Sequence, residues 1–368
     1  MLGLIASAAL APASPQTPPP IVTVPIHRPA TTVVQQQFVT WHPGDARCDG
    51  ATEVSVTVRR PYNEIVWVGV ATPRPVTMQF AVDESGRPLS IRQDDPVPGY
   101  RANQISPALA ASRFAPGPAR QNCTIVYTPK LDSFDDVPIP ELASYVITQQ
   151  KPRLPRPGFD RLRAGDECRR KTQPLVQVLP DFQSIAATPG VSDWALVGFD
   201  VTASGETRNA HILASTGNAE LGQASVTAIS KSRYNAGEAR SGCSYPFSRN
   251  AGELPAPVMP DKPDAGREDQ CEALDWAQGP RLVYPDLYRK RSIEGWAILK
   301  YDVAPWGAIG NVQILDAQPT QDFGNAAKAM LERAKKEAGT GATECMTRVR
   351  YEMARDEMAV AGQDDEES

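Results

Sequence analysis

Residues Trp296 to Leu315 carry the clearest pattern in the chain. Ala297, Leu299, Tyr301 and Val303 alternate with Trp296, Ile298, Lys300 and Asp302, a period of two that predicts a strand with one buried face. Ala304 to Gly307 interrupts it as a turn, with Gly307 where a positive φ is needed. Val312 and Ile314 resume the alternation, so the two runs form a hairpin. Phe323, Ala326, Ala327, Met330, Leu331 and Ala334 then share one face of a helix. Thr347, Val349 and Tyr351 alternate again as a third strand.

The same unit occurs twice earlier. Val76, Met78, Phe80 and Val82 stand before Gly86, and Ala195, Val197, Phe199 and Val201 before Gly205, as Ala297 to Val303 stand before Gly307. After the helix, Ser112-Arg113-Phe114 matches Ser232-Arg233-Tyr234, and Gly117, Ala119, Arg120 and Cys123 match Gly237, Ala239, Arg240 and Cys243. Such periodicity marks a repeat. The expected fold class is α+β: three tandem small domains, each a β-hairpin, a helix and a third antiparallel strand, with one disulfide per domain. Repeat one is assigned to 38–130, repeat two to 161–249 and repeat three to 268–353. The second repeat's helix is capped at Asn218 and buries Leu221, Ala224, Ala228 and Ile229. The first repeat's helix is expected to open at Ser106-Pro107.

Six cysteines follow the repeats: Cys48 and Cys123, Cys168 and Cys243, Cys271 and Cys345. Fifteen pairings are possible in principle, but the near-constant separation selects one disulfide inside each copy. Three pairs of buried thiols are the alternative. Closing loops of this length contributes roughly 4 kcal/mol in the chain-entropy model, which matters for a small core. No Cys-x-x-Cys or Cys-His spacing points to zinc. Disulfides imply an oxidising compartment.

Between the repeats the composition changes. Residues 1–13 read as a secretory signal: Leu2 to Leu10 is apolar, and Ala11-Pro12-Ala13 offers a cleavage site. No Lys or Arg precedes that run, which leaves open a start placed too far downstream or the remnant of a longer anchor. The run is shorter than the ~20 residues a membrane span requires. Residues 14–37 form a Pro-rich spacer. Linkers are expected at 131–160, where Leu142 to Ile147 is a candidate short helix packed on a neighbour, and at 250–267. The tail at 354–368 is acidic and expected to be disordered. The chain holds 35 Pro in 368 residues, about twice the usual share. The net charge of −5 supplies no basic field for nucleic acid. Arg289-Lys290-Arg291 reads as a solvated helix face.

Tyr284-Pro285, Ile293-Glu294-Gly295, Tyr301-Asp302-Val303, Gly307, Asn311-Val312-Gln313-Ile314-Leu315, Pro319 and Phe323 follow one another in repeat three. In that order they resemble the C-terminal domain of the TonB energy-transducer family. Repeat two keeps less, with Leu179-Pro180 and Ser215-Thr216-Gly217. Arg113-Phe114 and Arg233-Tyr234 have no counterpart in repeat three, which reads Ala334-Lys335-Lys336. The resemblance implies a domain that grips a short peptide of an outer-membrane transporter by strand addition. The family's transducers also carry an inner-membrane helix and a long Pro-rich spacer. This sequence departs in its three copies, its short spacer and the lack of a spanning helix as written.

The expectation is a periplasmic, non-enzymatic protein that binds extended segments of envelope proteins, possible TonB-dependent transporters among them. A true transducer whose membrane helix lies upstream is the first alternative, and an envelope enzyme using clefts between copies is the second. Docking is expected on repeat three, at Tyr284 and Pro285 and along Thr347, Arg348, Val349, Arg350 and Tyr351. A sheet edge offers unpaired backbone groups there. Arg348 and Arg350 share a face that would favour an acidic partner, or are simply its solvated face. No catalytic, cofactor or metal residue is assigned: His27, His42 and His211 read as surface histidines, and no hydrolase, zinc-protease or phosphate-loop motif is present. Trp194 and Trp296 are expected to pack, and Glu294 to shape a turn.

Overall fold

The structure, a computed structural model, describes residues 35–52, 55–68, 72–94, 103–168, 174–261, 271 and 274–353. The signal segment with most of the spacer, and the acidic tail, lie outside the described residues. Among these residues no helix is long and apolar enough to cross a membrane.

The strands that precede the first set among the described residues include β1 (Gln35–Pro43), β2 (Arg47–Cys48) and β3 (Glu64–Val68). The first hairpin–helix–strand set is β4 (Val76–Val82), β5 (Pro88–Gln93), α1 (Ile105–Ala110) and β6 (Arg120–Asp132). Two helices follow, α2 (Ile139–Ile147) and α3 (Arg156–Leu162). The second set is β7 (Asp193–Val201), β8 (Thr207–Ser215), α4 (Ala219–Lys231) and β9 (Arg240–Arg249). A one-turn helix α5 (Asp286–Arg289) leads into the third set, β10 (Gly295–Val303), β11 (Ile309–Gln318), α6 (Gln321–Leu331) and β12 (Ala342–Tyr351). In every set the first hairpin strand is central, antiparallel to the second hairpin strand on one side and to the last strand on the other.

The hairpin turns explain the repeated glycine. Gly86, Gly205 and Gly307 sit at φ +85°, +83° and +83°. Their carbonyls accept the N–H of Phe114, Tyr234 and Lys336, which ties each turn to the short strand after the helix. A Cβ on these glycines would come within 2.1, 1.9 and 1.9 Å of the same three residues' carbonyl oxygens. Left-handed backbone and close approach thus select glycine together. The three disulfides form as the spacing predicts: Cys48–Cys123, Cys168–Cys243 and Cys271–Cys345.

Asn218 caps α4 by accepting the Leu221 N–H at 3.0 Å. Helix α1 opens one residue before Ser106, with Gln104 at its cap, so Pro107 lies within the first turn. A first-turn N–H has no acceptor inside the helix, so Pro107 costs no bond there.

The segments read as linkers are packed structure. In 131–160, α2 buries Leu142, Ala143 and Tyr145. Leu142 and Tyr145 join Phe38 and Phe134, while Ala143 meets Trp194 and Leu196 of the second set. The start of the second linker is a strap across repeat three. The Leu254 N–H bonds the Ser292 carbonyl at 2.8 Å, the Glu294 N–H bonds the Leu254 carbonyl at 3.0 Å, and Trp296 Nε1 donates to the Pro257 carbonyl at 2.9 Å. A proline-rich strand has few donors of its own, yet its carbonyls remain acceptors for a neighbour.

Arg291 corrects the solvated-face expectation. It is 2% exposed. Its guanidinium donates to the Gly190 carbonyl at 3.2 Å and the Arg60 carbonyl at 3.3 Å, and lies 3.9 Å over the Tyr62 ring. One side chain thereby joins residues assigned to all three repeats. Arg289 and Lys290 remain exposed, as expected. The first and third sets share one continuous apolar cluster, from Met78 and Leu109 through Leu254 and Tyr288 to Leu299 and Phe323. The Ile91 N–H bonds the Pro319 carbonyl at 3.0 Å across that junction.

Candidate functional site: the edge of the last strand

Among the described residues β12 pairs with β10 and with no other strand, so its outer edge is open. Three of the five strand residues assigned to docking, Thr347, Val349 and Tyr351, lie on the inward face. Tyr351 is 0% exposed, its ring 5.0 Å from Phe323 and 5.6 Å from Tyr284, and Val349 is buried on the same face. Tyr284 is half-buried and donates its hydroxyl to the Ile293 carbonyl at 2.7 Å; Pro285 caps α5. Burial pushes the hydroxyls of Tyr284 and Tyr351 well above the usual tyrosine range. These rings support the strand from behind and do not face a partner.

Arg348 and Arg350 lie on the opposite face, across β10 from Ile298 and Trp296. Arg348 donates to the Pro260 carbonyl and to Met259 Sδ, which anchors the strap beside the edge. Arg350 is mostly exposed, 3.7 Å from Glu352. Thr347 is half-buried.

Two carboxylates hold the ends of this strand. Glu294 is buried; it accepts the Met353 N–H at 2.8 Å and the Ala256 N–H at 3.3 Å, so it clamps the end of β12 to the strap. Asp302 accepts Asn311 Nδ2 at 2.7 Å and the Glu344 N–H at 2.8 Å. Those two bonds, the Asn311 one first, hold its carboxyl below the usual range. In the second set Asp200 accepts the equivalent pair of bonds, from Asn209 Nδ2 at 2.7 Å and from the Gly242 N–H at 3.2 Å.

Sequence reasoning missed what happens at the matching edge of the first set. β1 and β2 run antiparallel along β6: Phe38 lies opposite Asp132, Pro43 opposite Tyr127 and Cys48 opposite Cys123. Between them the Gly44 N–H bonds the Val126 carbonyl at 2.8 Å. The central strand β4 pairs with the other side of the same residues, Phe80 with Cys123 and Val76 with Tyr127. The chain thus adds a strand to its own edge. The β-branched and aromatic run Phe38-Val39-Thr40-Trp41 was the available signal.

His211 is exposed, its Nδ1 2.7 Å from the Asn209 carbonyl, and His42 lies on β1, 3.4 Å from Thr40 Oγ1. His27 lies outside the described residues.

The described fold is a set of small disulfide-tied α+β sheets, the first of which has its last-strand edge filled by the chain itself. Residues 280–353 match the family model for the Gram-negative bacterial TonB protein C-terminal. The chain is also similar to protein TonB of Klebsiella pneumoniae, 30% identical over 114 residues, covering 29% of this chain and 45% of that protein. Protein TonB of Salmonella typhimurium is 34% identical over 93 residues, covering 24% of this chain and 38% of that one. The chain spans less than half the length of these relatives.

Proposed function

We propose that this protein is a periplasmic, non-enzymatic binding protein that takes up an extended segment of another envelope protein as an added strand on the outer edge of β12. The observation that carries the reading is the strand the chain adds to the matching edge of its own first set. Residues 38–48 show that an edge of this geometry accepts an antiparallel strand. The similarity of residues 280–353 to TonB C-termini supports it from a second direction. The common turn contacts and disulfides support reading all three sets as copies of that domain. In the proposed complex the backbone of β12 supplies affinity, and Arg348 and Arg350 favour an acidic segment. Tyr284 and Tyr351 hold the strand rigid. The family resemblance makes an outer-membrane transporter the expected source of the segment.

The test is selection of short random peptides displayed on phage against the full chain, followed by amide exchange of the complex. Enriched acidic peptides that slow exchange in 342–351 support the reading. Absence of enrichment, or protection confined to other segments, overturns it.

A further inference from the structure

Resting on the strand-addition reading, we infer that the three sets are not equivalent docking sites: the first edge is filled by the chain itself, the second is closed by Pro246, and the third has no strand paired to it among the described residues. The argument is one of backbone direction. In a strand, the N–H and C=O of one residue point to the same side and those of the next residue to the other. Val126 gives its carbonyl to Gly44, so its backbone groups point away from the sheet centre. Val126 is three residues past Cys123; the residues three past Cys243 and Cys345 are Pro246 and Arg348. The register agrees, because Thr77 lies opposite Val126, Leu196 opposite Pro246 and Ile298 opposite Arg348.

Pro246 therefore stands where the edge would offer an outward N–H, and proline has none. It costs β9 nothing in its pairing with β7, since that donor would face away from β7. An incoming strand loses a bond there and is left with a carbonyl that has no donor. Proline on an edge strand is a recognised guard against pairing. Room is not what the second edge lacks. A cleft of about 380 Å³ is lined by Ser244, Tyr245 and Pro246 together with Val146, Phe159 and Asp166.

The hairpin's second strands do not substitute. β8 and β11 each show two register shifts against their partners, and Asn209 and Asn311 hold positive φ within them. Such bulges turn an edge away from flat pairing.

The experiment repeats the peptide selection on four full-length proteins: wild type, Arg350→Pro, Pro246→Val, and the double variant. Circular dichroism and thermal unfolding establish that each is folded. Wild type is expected to enrich peptides that protect 342–351 alone. Arg350→Pro removes the outward donor two residues past Arg348, the position that matches Pro246, and should lower affinity for those peptides about tenfold or more. Pro246→Val should add protection at 240–249, and in the double variant binding should return with protection at 240–249 only. Wild-type peptides that protect 240–249, or a Pro246→Val protein that binds as wild type does, overturn the inference while leaving strand addition intact. No enrichment on any of the four overturns strand addition and this inference with it. Should Pro246→Val prove poorly folded, Pro246→Ala restores the same donor and carries the same expectations.

Discussion

At the scale of single residues, the turn glycines and the Asp302 carboxylate are decisive. Gly307→Ala is expected to cost about 2 kcal/mol or more, since it combines a left-handed backbone with a Cβ placed against the Lys336 carbonyl; chemical denaturation measures it. Asp302 has a folded pKa below its unfolded one. Its contribution is present above the unfolded pKa and is lost as pH falls through the folded value. Asp302→Asn should therefore lower stability at neutral pH, leave the acid value little changed, and so flatten the acid limb of the stability profile. Because Asp302 is solvent-facing, the difference should shrink in high salt. A steep acid limb retained in the variant would assign the loss to other groups.

At the scale of the element, β12 shows why a strand's two sides must be told apart. Val349 neighbours Arg348 and points its N–H toward β10, so Val349→Pro breaks a ladder bond inside the sheet and crowds a buried position. It should cost about 2–3 kcal/mol. Arg350→Pro faces outward and should cost about 1 kcal/mol or less. Thermal unfolding of the two variants separates them; equal losses would mean the outward assignment is wrong. The alternation of Thr347, Val349 and Tyr351 was legible in the sequence because burial repeats every two residues. Which side the N–H groups face was not, because that depends on pairing partners distant in the chain.

At the scale of the whole molecule, Arg291 and the shared core bind the sets into one body. Arg291→Ala removes donors that satisfy carbonyls from two other parts of the chain and leaves a void over Tyr62. A loss of about 3 kcal/mol is expected. Deleting residues 35–160 removes one side of the cluster that covers Tyr288, Ile293 and Phe323. The remaining chain should bind an apolar dye and unfold over a broader range than the full protein. A sharp transition and no dye binding in that fragment would show that the third set stands alone.

The sequence alone determined the hairpin–helix–strand order, the turn glycines, the Asn218 cap and the cysteine pairing. Each of these follows from local periodicity, or from a spacing that recurs with the repeat. Only the tertiary structure decided that the strap at Leu254 to Pro260 lies across repeat three, that Arg291 is buried, and that Tyr284 and Tyr351 back the docking strand from behind. It also decided that β1 fills the first edge while Pro246 guards the second. Those outcomes depend on which backbone groups and apolar faces meet across long separations, and composition registers a proline-rich or basic stretch in the same way whether it faces solvent or another part of the chain.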